Sequence, residues 1–358
     1  MVPSLAGGTL IRLLIANSGN NKLYADTVAQ QIVLLAKADP TFVGVMGWPF
    51  STHALAAINT LAKAHIPMVS QTASSDSLTG ISPYFLRVAP ANKRQAIIGA
   101  KYAEQTLQAK TAVAFVDPAD SYTQSLEQSF SAQFTADGNK ILATENYTVG
   151  QNGHAALPGL LQKALSMNPN IIYFAGHASD VSIILSNLPT SGPFATLPIL
   201  GGDALYELNY PSSATSGFNH LRFTAFAYPD EWVAQNLQQP KFFTDYSSAY
   251  NPSNQHPSGQ YGYTRPTADV ILSYDAMLTI LKASNTVLTS NISLNPADLQ
   301  KALKQITGSK AIQGVSGQIS LGSDNDPTNK AIVVLSVDSG HIVLKSVQGC
   351  FLVNQCKP

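Results

Sequence analysis

Strand-like and helix-like segments alternate along most of this 358-residue chain, and this alternation limits the fold more than any other feature. The apolar runs of the first third lie at 9–16, 42–47, 66–70 and 84–89. The amphipathic segments that separate and follow them lie at 24–39, 51–66 and 92–107. Because parallel strands need a crossover that is usually a helix, the rhythm predicts a parallel sheet covered by helices.

The same rhythm then starts again. Further strands are predicted at 111–116, 140–148, 170–176, 197–203 and 221–227. Helices are predicted between them at 120–135, 154–166 and 178–188. The chain is long enough for two domains of about 100–200 residues each, so we expect a second α/β lobe.

The last third has a different order. Two helices are predicted at 267–284 and 295–306, followed by apolar runs at 331–337 and 341–347. The short linker Asp338-Ser339-Gly340 separates these two runs and predicts a β-hairpin.

The charge balance excludes one class of partner. Lys and Arg together number 21, as do Asp and Glu, so no basic excess favours nucleic acid. Only 12% of residues are charged, a composition that suits secreted or surface proteins. No window reaches the roughly 20 apolar residues of a membrane span, and the start lacks the pattern of a signal peptide. Either the chain is intracellular or it is an excised mature fragment.

Two cysteines, Cys350 and Cys356, lie near the C-terminus. In an oxidising compartment they could close a small disulfide loop, and two buried free thiols are the alternative. No histidine pair accompanies them, so neither a zinc site nor another cofactor is expected.

Familiar catalytic signatures are missing from the sequence. It has no Gly-x-Ser-x-Gly elbow, P-loop or His-Glu-x-x-His motif, and no Gly-x-Gly-x-x-Gly follows the first strand. Ser51 and His53 are close in sequence, but no acidic residue beside them would orient the histidine. The sequence therefore favours a protein that is not an enzyme.

Small hydroxyl residues and aromatic residues collect at the predicted strand-to-helix turns. The turns lie at 47–52, 70–75, 117–122 and 175–179, and a fifth at 201–205 adds a carboxylate. In open α/β sheets, ligands bind at this edge, where helix N-termini present N–H groups. Hydroxyl and N–H groups suit a carboxylate and a lone Asp suits an ammonium, so the turns predict a site for a zwitterion.

A family resemblance covers nearly the whole chain. The segment GWPFSTHALAAINTLAKAHIPMVSQTASSDSLT resembles the corresponding region of type I periplasmic binding proteins related to the leucine/isoleucine/valine-binding protein. Further resemblance lies in YFLRVAPANKRQA, VAFVDPADSYTQSL, IIYFAGHASD, ILGGDAL and TADVILSYDAMLTI, in that order. It implies an α/β fold of two Rossmann-like lobes joined by three hinge crossovers, with no catalytic chemistry.

The resemblance also implies where the lobes divide. Crossovers are expected near 108–111, 227–230 and 320–326. The N-terminal lobe would then hold 1–109 plus 229–321, and the C-terminal lobe 110–228 plus 322–358. The family's first βα unit has no counterpart here, and MVPSLAGG resembles the loop that follows it, so the chain is expected to begin part-way into the natural protein.

In the first lobe, the matching positions imply the contacts to a ligand carboxylate. Ser51 and Thr52 match the family's hydroxyl and amide donors at a helix start. Ala73 matches a backbone carbonyl that binds the ammonium, and Ser74 matches a hydroxyl for the carboxylate. For Ser51 and Thr52 the alternative is a helix N-cap.

In the second lobe, the resemblance implies that Tyr122 closes over the ligand and that Asp203 pairs with its ammonium. His177 occupies a position where the family often has an aromatic residue, so it departs from the pattern. His177 and Asp203 could instead cap their helices.

Trp48 also departs from the pattern, since a small residue or proline is usual there. Trp48 and Phe50 either line the ligand or pack in a core, because aromatic side chains bury large areas wherever they lie.

Together these features predict an extracytoplasmic solute-binding protein. It would capture an amino acid with an apolar, aromatic or branched side chain between two lobes and deliver it to an ABC transporter permease. We expect it to work as a monomer and without a cofactor. The alternative is a ligand-binding sensory ectodomain of a receptor or kinase, and an enzyme using His177 and Asp203 is a lesser one.

Overall fold

The computed structural model of the protein describes residues 5–18, 21–206, 216–290, 293–353 and 355. These residues divide into two units. Unit 1 comprises the described parts of Met1–Ala91, Asp269–Ala331 and Gly349–Pro358, and unit 2 comprises those of Asn92–Ala268 and Ile332–Gln348. The lobe boundaries expected from the sequence follow hinge crossovers rather than compactness, and they stay a prediction.

The α-helices of the described residues are α1 (Lys22–Ala38), α2 (Ser51–Lys63), α3 (Asn92–Gln105), α4 (Ser121–Ala136), α5 (Gln151–His154), α6 (Leu157–Ser166), α7 (Ala178–Ser186), α8 (Glu231–Ala234), α9 (Lys241–Tyr250), α10 (Ala268–Thr289) and α11 (Pro296–Leu303). The strands are β1 (Val45–Met46), β2 (Met68–Ser70), β3 (Phe85–Arg87), β4 (Thr111–Val116), β5 (Lys140–Asn146), β6 (Ile171–Phe174), β7 (Ile199–Gly201), β8 (Leu221–Ala225), β9 (Ile312–Gly314), β10 (Gly317–Ile319), β11 (Ile332–Asp338) and β12 (His341–Gln348). The predicted α/β architecture is confirmed.

Unit 1 contains a parallel sheet of three short strands in the order β1-β2-β3. Its apolar core joins this sheet to α1 and α2, whose small and branched side chains recur at helical spacing. The buried members include Ala25, Val28, Ala54, Ile58, Leu61, Met68 and Phe85. Parallel pairing places the carboxyl ends of β1 and β2 side by side, so the turns that follow them are neighbours.

The strand predicted at 9–16 is wrong. These residues form no strand, and the side chains of Leu10 and Ile15 are 93% and 92% exposed. A β-strand is stabilised by pairing with a neighbour, and an apolar run by itself does not supply one. The hydrophobic pattern therefore identified an apolar segment but did not determine its conformation.

Unit 2 contains a seven-stranded sheet in the order β12-β11-β8-β7-β6-β4-β5. Strands β8 to β5 are parallel, whereas β11 pairs antiparallel with both β8 and β12. The last two strands come from 332–348, so the sheet is completed by a segment distant in sequence. The turn between them contains Ser339 and Gly340, both with positive φ, as the predicted hairpin requires.

Side chains that alternate along the central strands of unit 2 bury both faces of its sheet. On one face, Phe115 and Phe174 pack with residues of α6 and α7. On the other, Ala112 and Tyr173 pack with residues of α3 and α4. Because both faces of the sheet are buried, a ligand can approach it only at the strand ends and their turns.

Cys350 is disulfide-bonded rather than a free thiol. The other cysteine of the sequence, Cys356, lies outside the described residues, so the pairing of the two stays a prediction. Within the described ranges, every helix is too short or too polar to cross a membrane.

Candidate functional site

In unit 1, the turn that leads into α2 is joined to the turn that follows β2. The Ser70 hydroxyl donates to the Trp48 carbonyl at 2.8 Å, and the Thr72 hydroxyl donates to the Pro49 carbonyl at 2.9 Å. The Ser51 hydroxyl oxygen accepts from the amides of Ser74 and Ser75, at 3.1 and 3.0 Å. We call residues 47–52 and 70–75 together the anion turn.

Ser51 is the first residue of α2, and Phe50 is the N-cap, so Ser51 is not the capping residue. Its buried side chain instead fixes the 70–75 segment against the helix start. Thr52 follows it on the helix and is half-buried. The first N–H groups of any helix have no partner within the helix, so this end attracts anions.

The Ser74 hydroxyl, like Gln71 Oε1 in the same turn, is a buried polar group without a hydrogen-bond partner among the described residues. The Ser74 side chain is fully buried. A buried polar group without a partner is costly, and a ligand carboxylate would accept its proton. Its amide bonds to Ser51, which holds it at the start of α2.

Trp48 and Phe50 lie in opposite environments. Trp48 is 2% exposed, packs in the unit 1 core, and donates its indole N–H to the Ser18 carbonyl at 3.2 Å. Phe50 is 53% exposed, and its ring meets the His53 ring edge-on. The geometry favours a packing role for Trp48 and leaves Phe50 as the aromatic surface of this turn.

A buried arginine, which the sequence reasoning missed, holds the anion turn in place. Arg87 on β3 is fully buried and forms a bidentate pair with Asp326, with both N–O distances 2.6 Å. Its remaining donors reach Thr79 and the carbonyls of Ala73 and Ser75. All five guanidinium donors are therefore satisfied, three of them by the 73–79 segment.

This contact bears on Ala73, whose carbonyl was expected to accept from the ligand ammonium. That carbonyl already accepts from Arg87 at 3.1 Å. The Asp326 carboxylate neutralises this guanidinium, so the contact uses one lone pair of the carbonyl without adding net charge beside it. The expected contact of Ala73 with a ligand ammonium stays a prediction.

In unit 2, Asp203 and Tyr122 are brought together as the sequence suggested. The Tyr122 hydroxyl donates to Asp203 Oδ1 at 3.0 Å and accepts from the Ala204 amide at 3.1 Å. Asp203 begins a 3₁₀ turn directly after β7, and Tyr122 lies in the first turn of α4. Burial, together with the nearby Asp203 charge, raises the pKa of the Tyr122 hydroxyl well above its usual value, so it stays protonated and donates.

His177 is the N-cap residue of α7, but its side chain makes no capping hydrogen bond. Its ring lies 5.6 Å from the Tyr122 ring, centroid to centroid. The two rings therefore lie side by side near the carboxyl ends of the parallel strands, and Tyr122 also bonds Asp203.

Sequence reasoning also missed two buried amides of α3. Gln95 donates to Asp203 Oδ1 at 2.7 Å and accepts from the Thr224 hydroxyl at 2.7 Å. Asn92 accepts from Gln95 and donates to the Tyr122 carbonyl. We call these five residues the Asp203 network. In the sequence, Asn92 and Gln95 lie on the same face of α3 as the small residues that follow them, which indicated that they are buried. The sequence did not show which groups they would bond.

Gly202 has no room for a side chain. A Cβ atom there would lie 2.6 Å from both the Tyr122 hydroxyl oxygen and Leu126 Cδ2. We expect Gly202→Ala to lower the free energy of unfolding by about 1–3 kcal/mol, the usual cost of overpacking, and to displace Tyr122. Thermal denaturation measures the first effect and ligand titration the second.

The matched control is Gly159→Ala, within α6. A Cβ atom there meets nothing within 4 Å, so this variant should gain about 0.4–1 kcal/mol. If Gly202→Ala is as stable as this control, the close approach of Tyr122 is not real.

The chemistry of these residues is that of binding. Within the described ranges, no group of three or more His, Cys, Asp or Glu side chains could hold a metal ion. The anion turn offers a hydroxyl and a helix start, and the Asp203 network offers a carboxylate that is hydrogen-bonded to Tyr122, whose ring in turn contacts the His177 ring.

Solved structures with the same fold are known from several bacteria. A leucine binding protein from Thermotoga maritima is 22% identical, with a TM-score of 0.72, covering 90% of this chain and 85% of that one. A branched-chain amino acid transporter substrate binding protein from Streptococcus pneumoniae, in complex with isoleucine, is 18% identical, with a TM-score of 0.74 and coverages of 97% and 89%. A solute binding protein from R. palustris, in complex with 4-hydroxybenzoate, is 17% identical, with a TM-score of 0.71 and coverages of 92% and 84%.

A comparison with curated proteins finds no significant match. The family model described as periplasmic binding protein, however, matches residues 5–341, which is most of the chain. The family and these structural neighbours are substrate-binding proteins without enzymatic activity, and membership implies an extracytoplasmic location. The fold and this match agree, and the chain belongs to the periplasmic binding protein family.

Proposed function

We propose that the protein binds an amino acid with an apolar or aromatic side chain and delivers it to an ABC transporter permease. The observation that carries this proposal is the Asp203 carboxylate at the carboxyl end of β7, where neutral donors from Tyr122 and Gln95 orient it. A carboxylate in that place favours an ammonium group through a charge-assisted hydrogen bond.

The anion turn supports the other half of the proposal. The buried Ser74 hydroxyl and the start of α2 suit a carboxylate, and the Arg87 side chain holds the 73–79 segment in place beside them. An α-amino acid carries both kinds of group, an ammonium that suits the Asp203 carboxylate and a carboxylate that suits the anion turn. Phe50, Tyr122 and His177 offer rings for its side chain.

Four small molecules test this proposal by isothermal titration calorimetry. L-leucine and L-phenylalanine carry both charged groups, 4-methylpentanoate lacks the ammonium, and 3-methylbutylamine lacks the carboxylate. We expect at least one of the amino acids to bind. Each truncated analogue should bind at least about thirtyfold more weakly than leucine, because removing one partner of a hydrogen-bonded charge pair costs about 2 kcal/mol or more.

An acid without an ammonium is the informative competitor. If 4-methylpentanoate or 4-hydroxybenzoate binds as tightly as the amino acids, the protein is a carboxylic acid binder and the role given to Asp203 is wrong. Delivery to a permease is the part of the proposal that family membership supports, and uptake of the bound compound by cells that carry the partner permease would test it.

A further inference from the structure

We propose that Gln95 is a positioning residue for ligand binding, because its side-chain amide holds the Asp203 carboxylate in one orientation. This inference rests on the proposed function, since it assigns the group that prepares Asp203 for a ligand ammonium. Gln95 itself is fully buried on α3.

The Gln95 amide makes four hydrogen bonds, two from its nitrogen and two to its oxygen. Nε2 donates to Asp203 Oδ1 and to Asn92 Oδ1, both at 2.7 Å. Oε1 accepts from the Thr224 hydroxyl at 2.7 Å and from the Asp203 amide at 3.2 Å. The bonding capacity of a carboxamide is thereby used on both of its ends.

These partners fix which end of the amide is which. An ionised carboxylate oxygen can only accept, and a backbone N–H can only donate. Asp203 presents one of each to Gln95, so the reversed amide would set acceptor against acceptor and donor against donor. Gln95 therefore forms hydrogen bonds with both the side chain and the main-chain amide of Asp203.

Asn92 links Gln95 to Tyr122, the aromatic residue of the Asp203 network. Its amide nitrogen donates to the Tyr122 carbonyl at 2.9 Å and to the Ser125 hydroxyl at 2.7 Å, both on α4. The Tyr122 hydroxyl then returns to Asp203 Oδ1. The closed ring of bonds holds the carboxylate and the Tyr122 ring in a fixed relation before any ligand arrives.

A carboxylate held in this way loses no rotational freedom when an ammonium binds, which is the advantage of preorganisation. Both donors bond the same oxygen, Oδ1. Oδ1 is therefore held by two elements of unit 2, α3 through Gln95 and α4 through Tyr122.

The test compares L-leucine with 4-methylpentanoate in the intact protein carrying Gln95→Met. Methionine has nearly the same length but none of these hydrogen bonds. We expect leucine affinity to fall about ten- to hundredfold, the range for lost hydrogen bonds to a charged group, while 4-methylpentanoate affinity stays within about threefold. A merely structural role would weaken both ligands equally, and that result would overturn the proposal.

A second measurement needs no ligand. Hydrogen exchange of the peptide that spans 199–206 should quicken in Gln95→Met, because the Asp203 amide loses its acceptor. The matched control is Gln105→Met, the same substitution at an exposed position at the end of α3, outside the Asp203 network. Unchanged exchange in Gln95→Met, or equal changes in both variants, would contradict the assignment.

The two proposals can fail separately. If Asp203→Asn abolishes leucine binding but Gln95→Met does not weaken it, Gln95 is not a positioning residue and the proposed function stands. If leucine binds equally well to Asp203→Asn, the ammonium assignment fails, and the positioning of a ligand group by Gln95 fails with it.

Discussion

Asp203→Asn is expected to weaken amino-acid binding by about 2–5 kcal/mol, a loss of about thirtyfold or more, while the protein remains folded. Asparagine keeps the shape of the side chain and an oxygen that can accept from Tyr122 and Gln95. What it removes is the negative charge that an ammonium group needs. Calorimetric titration with L-leucine measures the loss, and circular dichroism checks the fold.

The matched control is Asp338→Asn, in the hairpin turn of the same unit. Asp338 is exposed and lies outside the Asp203 network, so removing its charge should leave affinity unchanged. Equal affinity in Asp203→Asn and the wild-type protein would show that the carboxylate does not meet a cationic ligand group. Equal losses in both variants would indicate a general charge effect.

Arg87→Met should be among the most destabilising single changes in unit 1. The arginine side chain is fully buried and that of Asp326 is 11% exposed, so the variant leaves a buried carboxylate without its cation. Breaking a buried pair from one side costs about 3–5 kcal/mol. Urea denaturation followed by tryptophan fluorescence measures this loss, because Trp48 lies in the core of the same unit.

The double variant Arg87→Met/Asp326→Leu separates charge from packing. Replacing both partners removes the uncompensated charge, so it should be clearly more stable than Arg87→Met alone. Both variants should nevertheless bind leucine more weakly than the wild-type protein does, because the 73–79 segment has lost its arginine donors. If the double variant is less stable than the single one, packing rather than charge explains the effect.

The sequence carried the fold well because alternation is a local signal. The longer helices α3, α4, α6 and α7 of unit 2 were predicted from their own apolar period, and the Asp-Ser-Gly linker predicted the hairpin whose turn contains Ser339 and Gly340. The segment 9–16 failed for the opposite reason, since pairing is a property of two segments and the run shows only one. The short helices α8 and α9 lie before the helix predicted at 267–284 and were not predicted from the sequence.

In the candidate site, too, the features with a local sequence signal were predicted, whereas those that depend on distant pairs were not. The turns that contain Ser74, Tyr122 and Asp203 follow from strand ends, which periodicity locates, and the family resemblance singles out these three residues within them. The groups that hold them, Arg87 and Gln95, act across 239 and 108 positions in sequence, through Asp326 and Asp203 respectively. Such distant pairs leave no local pattern, although a charged residue within the apolar run YFLRVA was a sign that a buried partner had to exist.

The order of the strands in unit 2 has a consequence for how the chain is made. Strands β4 to β8 emerge from the ribosome first, and β11 and β12 follow only after residues 226–331 have been synthesised. Until then, β8 is the open edge of the sheet, with unpaired backbone groups and an apolar surface. Completion of unit 2 is therefore a late event in biosynthesis, and a ribosome that stops before residue 332 releases a chain whose β8 edge can pair with other chains.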